Sequence, residues 1–225
     1  MGAIAERYGA VRRAVSDAAD AAGRHPDDVR IVAVTKHVGI PQVQQAIAAG
    51  CIDFGENRVQ EFLGKLGLFP DVRWHFIGTL QSNKVKDVVG RAYLIHSVDS
   101  LELLQRIDRV AETKGVIQPV LLQVNVSGEA SKHGMEPEEA EEAVRASLEL
   151  PGVDVRGLMT MAPFARPEDV RWVFRATTEL FASLGAMRFN GIELTELSMG
   201  MTNDYRVAIE EGATIIRVGT AIFGR

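Results

Sequence analysis

The sequence predicts an α/β protein folded as a single (β/α)8 TIM barrel with one extra helix at the N-terminus. Short apolar runs, typical of strands that are covered on both faces, occur eight times along the chain. The segments between them carry helical periodicity, and parallel neighbouring strands require such crossovers. Eight strands favour a closed barrel over an open doubly wound sheet, and no GxGxxG fingerprint occurs. Since such barrels take about 250 residues, we expect residues 1–225 to form one domain.

The first predicted element is a helix over residues 3–22, where Ile4, Val11 and Val15 recur at helical spacing. A segment with glycine and proline ends this helix, so residues 1–28 form a leading helix and its connection to the first strand. The eight predicted strands follow at residues 31–36, 52–57, 74–78, 92–98, 119–126, 153–161, 192–200 and 214–224.

The helices between the strands carry start and stop signals. The helix after the fourth strand has Asp99 or Ser100 as N-cap and Gly115 as its stop. The helix after the fifth strand begins at Pro137 and has acidic residues in its first turn, and the helix after the sixth strand repeats this design. Residues 187–191 link that helix to the seventh strand.

Composition excludes several classes of function. A net charge of −5 and a pI of about 5.6 argue against nucleic acid as a partner, since nucleic-acid-binding domains are usually basic. The chain has neither a secretory signal nor an apolar run that could span a bilayer, so we expect a cytoplasmic protein without membrane contact. The single cysteine, Cys51, excludes an internal disulfide and is interpreted as a small core residue. The histidines lack metal-ligand spacing, so no metal site is expected.

Glycines and hydroxyl groups follow the last two predicted strands. Ser198, Met199 and Gly200 close the seventh strand, and Gly219 and Thr220 follow the apolar start of the eighth. The loops at these positions often bind phosphate in this fold, because glycine lets backbone N–H groups approach an anion closely. We interpret them as a candidate phosphate site, and the alternative is that the glycines only close tight turns.

Lys36 ends the first predicted strand, although an ammonium group is costly to bury. Because the eighth strand neighbours the first in a closed barrel, Lys36 should lie beside the candidate phosphate site. Desolvation and nearby cations would lower its pKa and expose a neutral amine, as in a Schiff-base lysine. Two alternatives remain: the amine extends into solvent, or it contacts phosphate only as a charge.

Other polar residues belong to the same barrel. Arg217 either lies over a ligand at the barrel mouth or forms an ion pair with Glu193 or Glu196. His75 and His96 are expected to line the barrel interior through hydrogen bonds rather than to bind a metal. The polar loop at 127–135 either covers the barrel mouth or has no role in the site.

Several motifs occur in the order typical of one known family. They are VAVTK ending at Lys36, DFGENRVQE at 53–61, WHFIGTLQSNK at 74–84, GLMTM at 157–161, and the stretch from 194 to 224. From about residue 29 onward, the chain closely resembles the pyridoxal phosphate homeostasis proteins. These resemble the N-terminal barrel of alanine racemase standing alone.

The resemblance implies pyridoxal 5'-phosphate (PLP) as cofactor, held by Lys36 as an internal aldimine. The implied cofactor-binding residues are Lys36, Asn57, Ser198, Met199, Gly200, Arg217, Gly219 and Thr220. Ser198, Gly219 and Thr220 would hold the phosphate, and Arg217 would face the pyridine nitrogen. A guanidinium keeps that nitrogen unprotonated, so the ring would be a weaker electron sink than with an aspartate partner.

The resemblance also implies a function: intracellular PLP homeostasis and amino-acid/keto-acid balance, without robust turnover. We expect no counterpart of the racemase's second domain, and Tyr8, Tyr93 and Tyr205 are not evident substitutes for its tyrosine base. The other hypotheses are a weak PLP-dependent amino-acid racemase and a Schiff-base aldolase acting on a phosphorylated sugar. The expected partners are PLP and PLP-dependent apoenzymes, and the expected oligomeric state is a monomer.

Overall fold

The barrel predicted from the eight apolar runs is confirmed by the computed structural model, which describes residues 2–128, 133–187 and 192–224. Its strands are β1 (Arg30–Val34), β2 (Asp53–Glu56), β3 (Arg73–Phe76), β4 (Leu94–Val98), β5 (Gln118–Gln123), β6 (Val153–Met159), β7 (Glu196–Met201) and β8 (Ile215–Val218). Neighbouring strands are parallel and follow chain order, and β8 closes the barrel on β1. The predicted 127–135 loop and 187–191 link extend into residues 129–132 and 188–191, which lie outside the described ranges.

Helices surround this barrel, as the alternating pattern predicts. They are α1 (Ala3–Ala21), α2 (Ile40–Ala48), α3 (Val59–Leu68), α4 (Val85–Val88), α5 (Leu101–Lys114), α6 (Pro137–Ser147), α7 (Arg171–Ala186), α8 (Tyr205–Glu210) and α9 (Thr220–Phe223). The predicted caps of α5 are confirmed: the Ser100 hydroxyl accepts a hydrogen bond from the Leu103 N–H, and Gly115 adopts a left-handed conformation with φ of 64°. In the described part of the chain, no helix is long and apolar enough to cross a bilayer.

The leading helix α1 packs against α2, α8 and α9. Arg24, just after α1, donates hydrogen bonds of 2.9 and 2.8 Å to the carbonyls of Ile209 and Ala213 at the end of α8. A cation is favourable at this position, because the last carbonyls of a helix lack intrahelical donors.

Two layers of apolar side chains hold the barrel. The larger one fills the space between the strands and the helices, and includes Cys51, which is buried as expected. The smaller one lies inside the barrel and contains Val32, Leu94, Leu121, Met159 and Ile215. Other interior positions carry polar side chains, which build much of the site described below.

The structure differs from the predicted elements in three places. The pattern does not predict α3, which contains two glycines, or the single turn α4. The eighth apolar run is β8 followed by a short helix, because the chain leaves the strand at Gly219 and turns at once into α9. The first strand ends at Val34, so Lys36 lies in a turn beyond it and not at the end of the strand.

Candidate functional site

Lys36 lies in a tight turn at the C-terminal end of β1. The Val38 N–H donates to the Thr35 carbonyl at 2.9 Å, and His37 has a φ of 62°. This left-handed conformation is uncommon outside glycine, although histidine tolerates it better than most residues. The Lys36 side chain is exposed and makes no hydrogen bond or ion pair within the described residues. Its amine is therefore available to a ligand at the barrel mouth.

A buried ion pair anchors this turn. Lys65 of α3 pairs with Glu56 at the end of β2, and the two side chains are only 8% and 0% exposed. The Lys65 amine also donates to the Thr35 carbonyl at 2.8 Å, and the Thr35 hydroxyl donates to Glu56 at 2.7 Å. These contacts join the ends of β1 and β2 immediately before Lys36 and Asn57. Sequence reasoning missed this pair; the available signal was Glu56, a charged residue near the end of the second predicted strand.

Asn57 follows β2 and faces the same mouth. Its Oδ1 is buried without a hydrogen-bond partner among the described residues. Gly78 packs directly against the Asn57 backbone, where an added Cβ would lie 2.2 Å from the Asn57 carbonyl oxygen. Unpartnered buried oxygens are rare in folded proteins, so Asn57 Oδ1 is positioned for a donor that a ligand or water would supply.

The two glycine-containing loops differ in what they offer an anion. Gly219 lies against the end of β1, where an added Cβ would be 3.3 Å from the Val34 carbonyl oxygen. Thr220 starts α9 and is exposed, so the unbonded N–H groups of this first turn open to the mouth. Gly200 has a φ of 90°, and an added Cβ would lie 2.6 Å from Ala208 Cβ. Glycine is thus required at Gly200 for the close approach of α8.

Met199 and Ser198 point to opposite sides of β7. The Met199 side chain is buried in the layer between barrel and helices, so only its backbone could approach a ligand. Ser198 is fully buried inside the barrel, where its hydroxyl already has two protein partners, Arg217 at 2.6 Å and His96 at 2.9 Å. Its predicted contact with phosphate stays a prediction, and the observed contacts favour support of Arg217 instead.

Arg217 lies across the barrel interior on β8. Its guanidinium donates to Ser198 Oγ and, at 2.8 Å, to the Thr160 carbonyl of the segment after β6. Of the two glutamates considered as partners in the sequence, Glu196 is paired with Arg30 at 3.0 Å. Burial lowers the pKa of Arg217 to about 10, against the opposing influence of Asp204, so the side chain stays charged at neutral pH.

His75 and His96 line the barrel interior through hydrogen bonds, as predicted. His96 bonds to His75 at 2.9 Å, and His75 bonds to Asp53 at 2.9 Å. Burial lowers the pKa of His96 well below its ordinary value, and nearby His75 and Arg217 lower it further. Burial also lowers the pKa of His75, although Asp53 opposes the change. No group of residues suited to a metal ion occurs in the described ranges.

Because His75, His96 and Asp53 are buried, we expect the fold to lose stability in mild acid. Burial raises the pKa of Asp53, but hydrogen bonds from His75 and Arg73 outweigh it and leave that pKa below its ordinary value. Both histidines and Asp53 thus bind fewer protons in the folded than in the unfolded chain. Their contribution is present above the unfolded pKa values and is lost as pH falls below them, first for the histidines and then for Asp53.

We expect the free energy of unfolding, measured with urea, to fall between about pH 8 and about pH 5, where the histidines of the unfolded chain gain protons. For each pH unit below its unfolded pKa, a histidine that stays neutral in the fold lowers the free energy of unfolding by up to about 1.4 kcal/mol. Replacing His96 with asparagine should flatten this dependence. An equal slope in wild type and His96→Asn would contradict the assignment.

Comparison with known proteins places this chain in a family. The family described as "Alanine racemase, N-terminal domain" matches residues 8–225. The pyridoxal phosphate homeostasis protein of Aquifex aeolicus is 44% identical over 222 residues, which is 97% of this chain and 96% of that protein.

Two solved structures have the same barrel. PipY of Synechococcus elongatus, solved with PLP bound, is 37% identical, with a TM-score of 0.86 and coverage of 98% of this chain and 100% of that one. Alanine racemase from Streptomyces coelicolor, at 20% identity and a TM-score of 0.74, shares the fold over 99% of this chain and 58% of its own. From these matches over nearly its whole length, the chain belongs to the pyridoxal phosphate homeostasis proteins, which share the alanine racemase N-terminal barrel.

Proposed function

We propose that this protein binds PLP through Lys36 and takes part in intracellular PLP homeostasis and in amino-acid/keto-acid balance, without robust catalytic turnover. One observation carries the proposal: the exposed Lys36 follows β1, and the two strands that pair with β1 lead into the start of α9 and into Asn57 with its unpartnered buried oxygen. PipY, solved with PLP bound, supports the choice of cofactor. We further propose that residues 1–225 act as one PLP-binding domain, since α1 packs against the helices of the barrel.

The residues present fit each part of PLP. When bound, PLP supplies an aldehyde that condenses with amines and a ring that withdraws electrons. Lys36 would hold the aldehyde covalently, and the first turn of α9, with Gly219 and Thr220, would hold the phosphate through backbone N–H groups. Gly200 and the Met199 backbone would border the phosphate from the side of β7.

Arg217 would face the pyridine nitrogen. Because it stays charged and donates only, the nitrogen would accept a hydrogen bond without gaining a proton. The ring then withdraws electrons weakly, which disfavours proton removal from a bound amino acid.

The positions of the tyrosines also favour binding over turnover. Racemisation needs a base on each face of the substrate. Tyr8 lies beside Cys51, and Tyr93 lies against Arg30 and Arg73 at the starts of β1 and β3, so both are at the opposite end of the barrel from Lys36. Tyr205 is buried where α8 packs on Gly200. Two of the three tyrosines therefore lie away from Lys36, and the third is buried where α8 packs on β7.

The open position of Lys36 is compatible with transfer of PLP to other proteins. The site is built from strand ends of one chain, so we propose that a cytoplasmic monomer suffices to bind PLP. PLP-dependent apoenzymes are the proposed recipients. Transfer to them requires that the cofactor can leave the site, and the exposure of Lys36 supports this.

Titration of the purified protein with PLP tests the proposal. We expect one equivalent to produce a visible imine band, because the exposed Lys36 amine at the end of β1 is placed to react. Borohydride reduction and peptide mass spectrometry should place the adduct on Lys36. No band, or adducts spread over surface lysines, would contradict the proposal.

A control separates binding from turnover. The PLP-loaded protein, given alanine in deuterated water, should exchange the α-proton no faster than free PLP does. Exchange well above that rate would overturn the absence of turnover and favour the weak racemase, while leaving PLP binding intact.

A further inference from the structure

A continuous chain of hydrogen bonds crosses the barrel interior from its mouth to its opposite end. Arg217 Nη1 lies 2.6 Å from Ser198 Oγ, which lies 2.9 Å from His96 Nδ1. His96 Nε2 lies 2.9 Å from His75 Nδ1, and His75 Nε2 lies 2.9 Å from Asp53 Oδ1. All five side chains are buried.

The chemistry of the two ends determines the direction of every bond. A guanidinium only donates, so Ser198 Oγ accepts from Arg217 and its own hydrogen points to His96 Nδ1. A neutral His96 with Nδ1 as acceptor carries its hydrogen on Nε2 and donates it to His75 Nδ1. His75 likewise carries its hydrogen on Nε2 and donates it to Asp53, a carboxylate that only accepts.

Donation in the opposite direction along these hydrogen bonds is disfavoured. It would turn a histidine hydrogen towards Ser198 and the cation of Arg217, and would set a lone pair of neutral His75 against Asp53. In the observed direction, every donor points away from the cation and towards the anion, so the bond dipoles follow the field between them. Arg73 also donates to Asp53 at 2.6 Å, which anchors the anionic end.

Filling this space with polar groups is costly, because the barrel interior is otherwise lined by apolar side chains. Two buried neutral histidines and a buried carboxylate therefore require a role, and each is linked in turn to Arg217. The arginine side chain is long and has many rotamers. Its bonds to Ser198 and to the Thr160 carbonyl hold the guanidinium in one place and leave further N–H donors for a ligand.

We propose that Ser198, His96, His75 and Asp53 are positioning residues that hold Arg217 in one orientation, ready to donate to the ring nitrogen of PLP. The network itself exists without the cofactor, but its purpose rests on the proposed function.

The first test needs no cofactor. Long-range ¹H–¹⁵N correlation spectra of the histidine-labelled protein report which ring nitrogen carries hydrogen. We expect both His75 and His96 to be neutral, with the hydrogen on Nε2, at neutral pH. Hydrogen on Nδ1 of His96 would overturn the proposed direction, whether or not the protein binds PLP.

The second test measures PLP. We expect Ser198→Ala and His96→Leu to weaken PLP binding roughly 5–10-fold, the effect of losing about one hydrogen bond. We also expect the spectrum of their bound PLP to change with pH as the ring nitrogen begins to titrate. His96→Asn, which keeps an acceptor near the Nδ1 position, should recover much of the wild-type behaviour. Thermal unfolding of each variant verifies that it folds.

A matched control is Ser147→Ala. The Ser147 hydroxyl is buried and donates to the Val144 carbonyl in α6, so it takes no part in the hydrogen-bond chain. It should bind PLP as the wild type does. Wild-type affinity and a pH-independent spectrum in Ser198→Ala would overturn the positioning role. A wild type that binds no PLP would instead refute the proposed function. The histidine spectra would still decide whether the hydrogen-bond chain from Arg217 to Asp53 exists.

Discussion

Lys36→Ala is expected to abolish the visible imine band of the PLP-loaded protein while leaving the barrel folded. The loss should be complete, because the band requires a covalent bond to an amine and the other contacts at the mouth are non-covalent. Folding should be unaffected, since the Lys36 side chain is exposed and unpartnered within the described residues. Absorbance during PLP titration measures the first effect, and urea unfolding measures the second.

The matched control is Lys86→Ala, another exposed lysine, which lies in the short helix α4. It should retain the full band. A normal band in Lys36→Ala would show that a different amine reacts, and the adduct position found after borohydride reduction would identify it. Residual non-covalent binding by Lys36→Ala is expected, because the α9 start and Arg217 remain in place.

Breaking the buried pair of Lys65 and Glu56 should have the largest effect on stability. Removing one partner of a buried ion pair leaves the other charge uncompensated, which typically costs about 3–5 kcal/mol. Lys65→Met also removes the hydrogen bond to the Thr35 carbonyl. For a chain of this size, we expect the midpoint of thermal unfolding to fall by roughly 6–20 °C.

Two variants make this result interpretable. Lys65→Met combined with Glu56→Leu removes both charges and should recover part of the lost stability, because no buried charge is left alone. Arg145→Ala breaks an exposed ion pair with Glu141 on α6 and should change the free energy of unfolding by less than about 1 kcal/mol. Equal effects of Lys65→Met and Arg145→Ala would contradict a structural role for the buried pair.

The pair also connects stability to the site. Thr35 and Glu56 immediately precede Lys36 and Asn57 in the chain, and Lys65 contacts both of them. The left-handed His37 turn depends on this anchor, because strained backbone persists only where its surroundings hold it. Weaker PLP binding in Lys65→Met is therefore expected to accompany its lower stability.

Much of the fold was predictable because it depends on local patterns. Apolar runs alternating with helical segments require parallel strands and crossovers, and eight such units close into a barrel. The ends of elements were less predictable. β-Branched Thr35 extends the first predicted strand to Lys36, yet the strand ends at Val34, and the Thr35 carbonyl accepts a hydrogen bond from Lys65.

The candidate site, like the fold, has features that the sequence predicts and features that it does not. Lys36, Asn57, Gly219 and Thr220 could be placed at the strand ends from the sequence, because chain order and barrel closure put them there. The partner of each polar side chain depends on tertiary packing, which no local pattern contains. The Ser198 hydroxyl bonds to Arg217 and His96, and Lys65 forms a buried ion pair with Glu56. The reason is physical: a buried polar group must be matched by another within about 3 Å, and such matches join residues far apart in the chain.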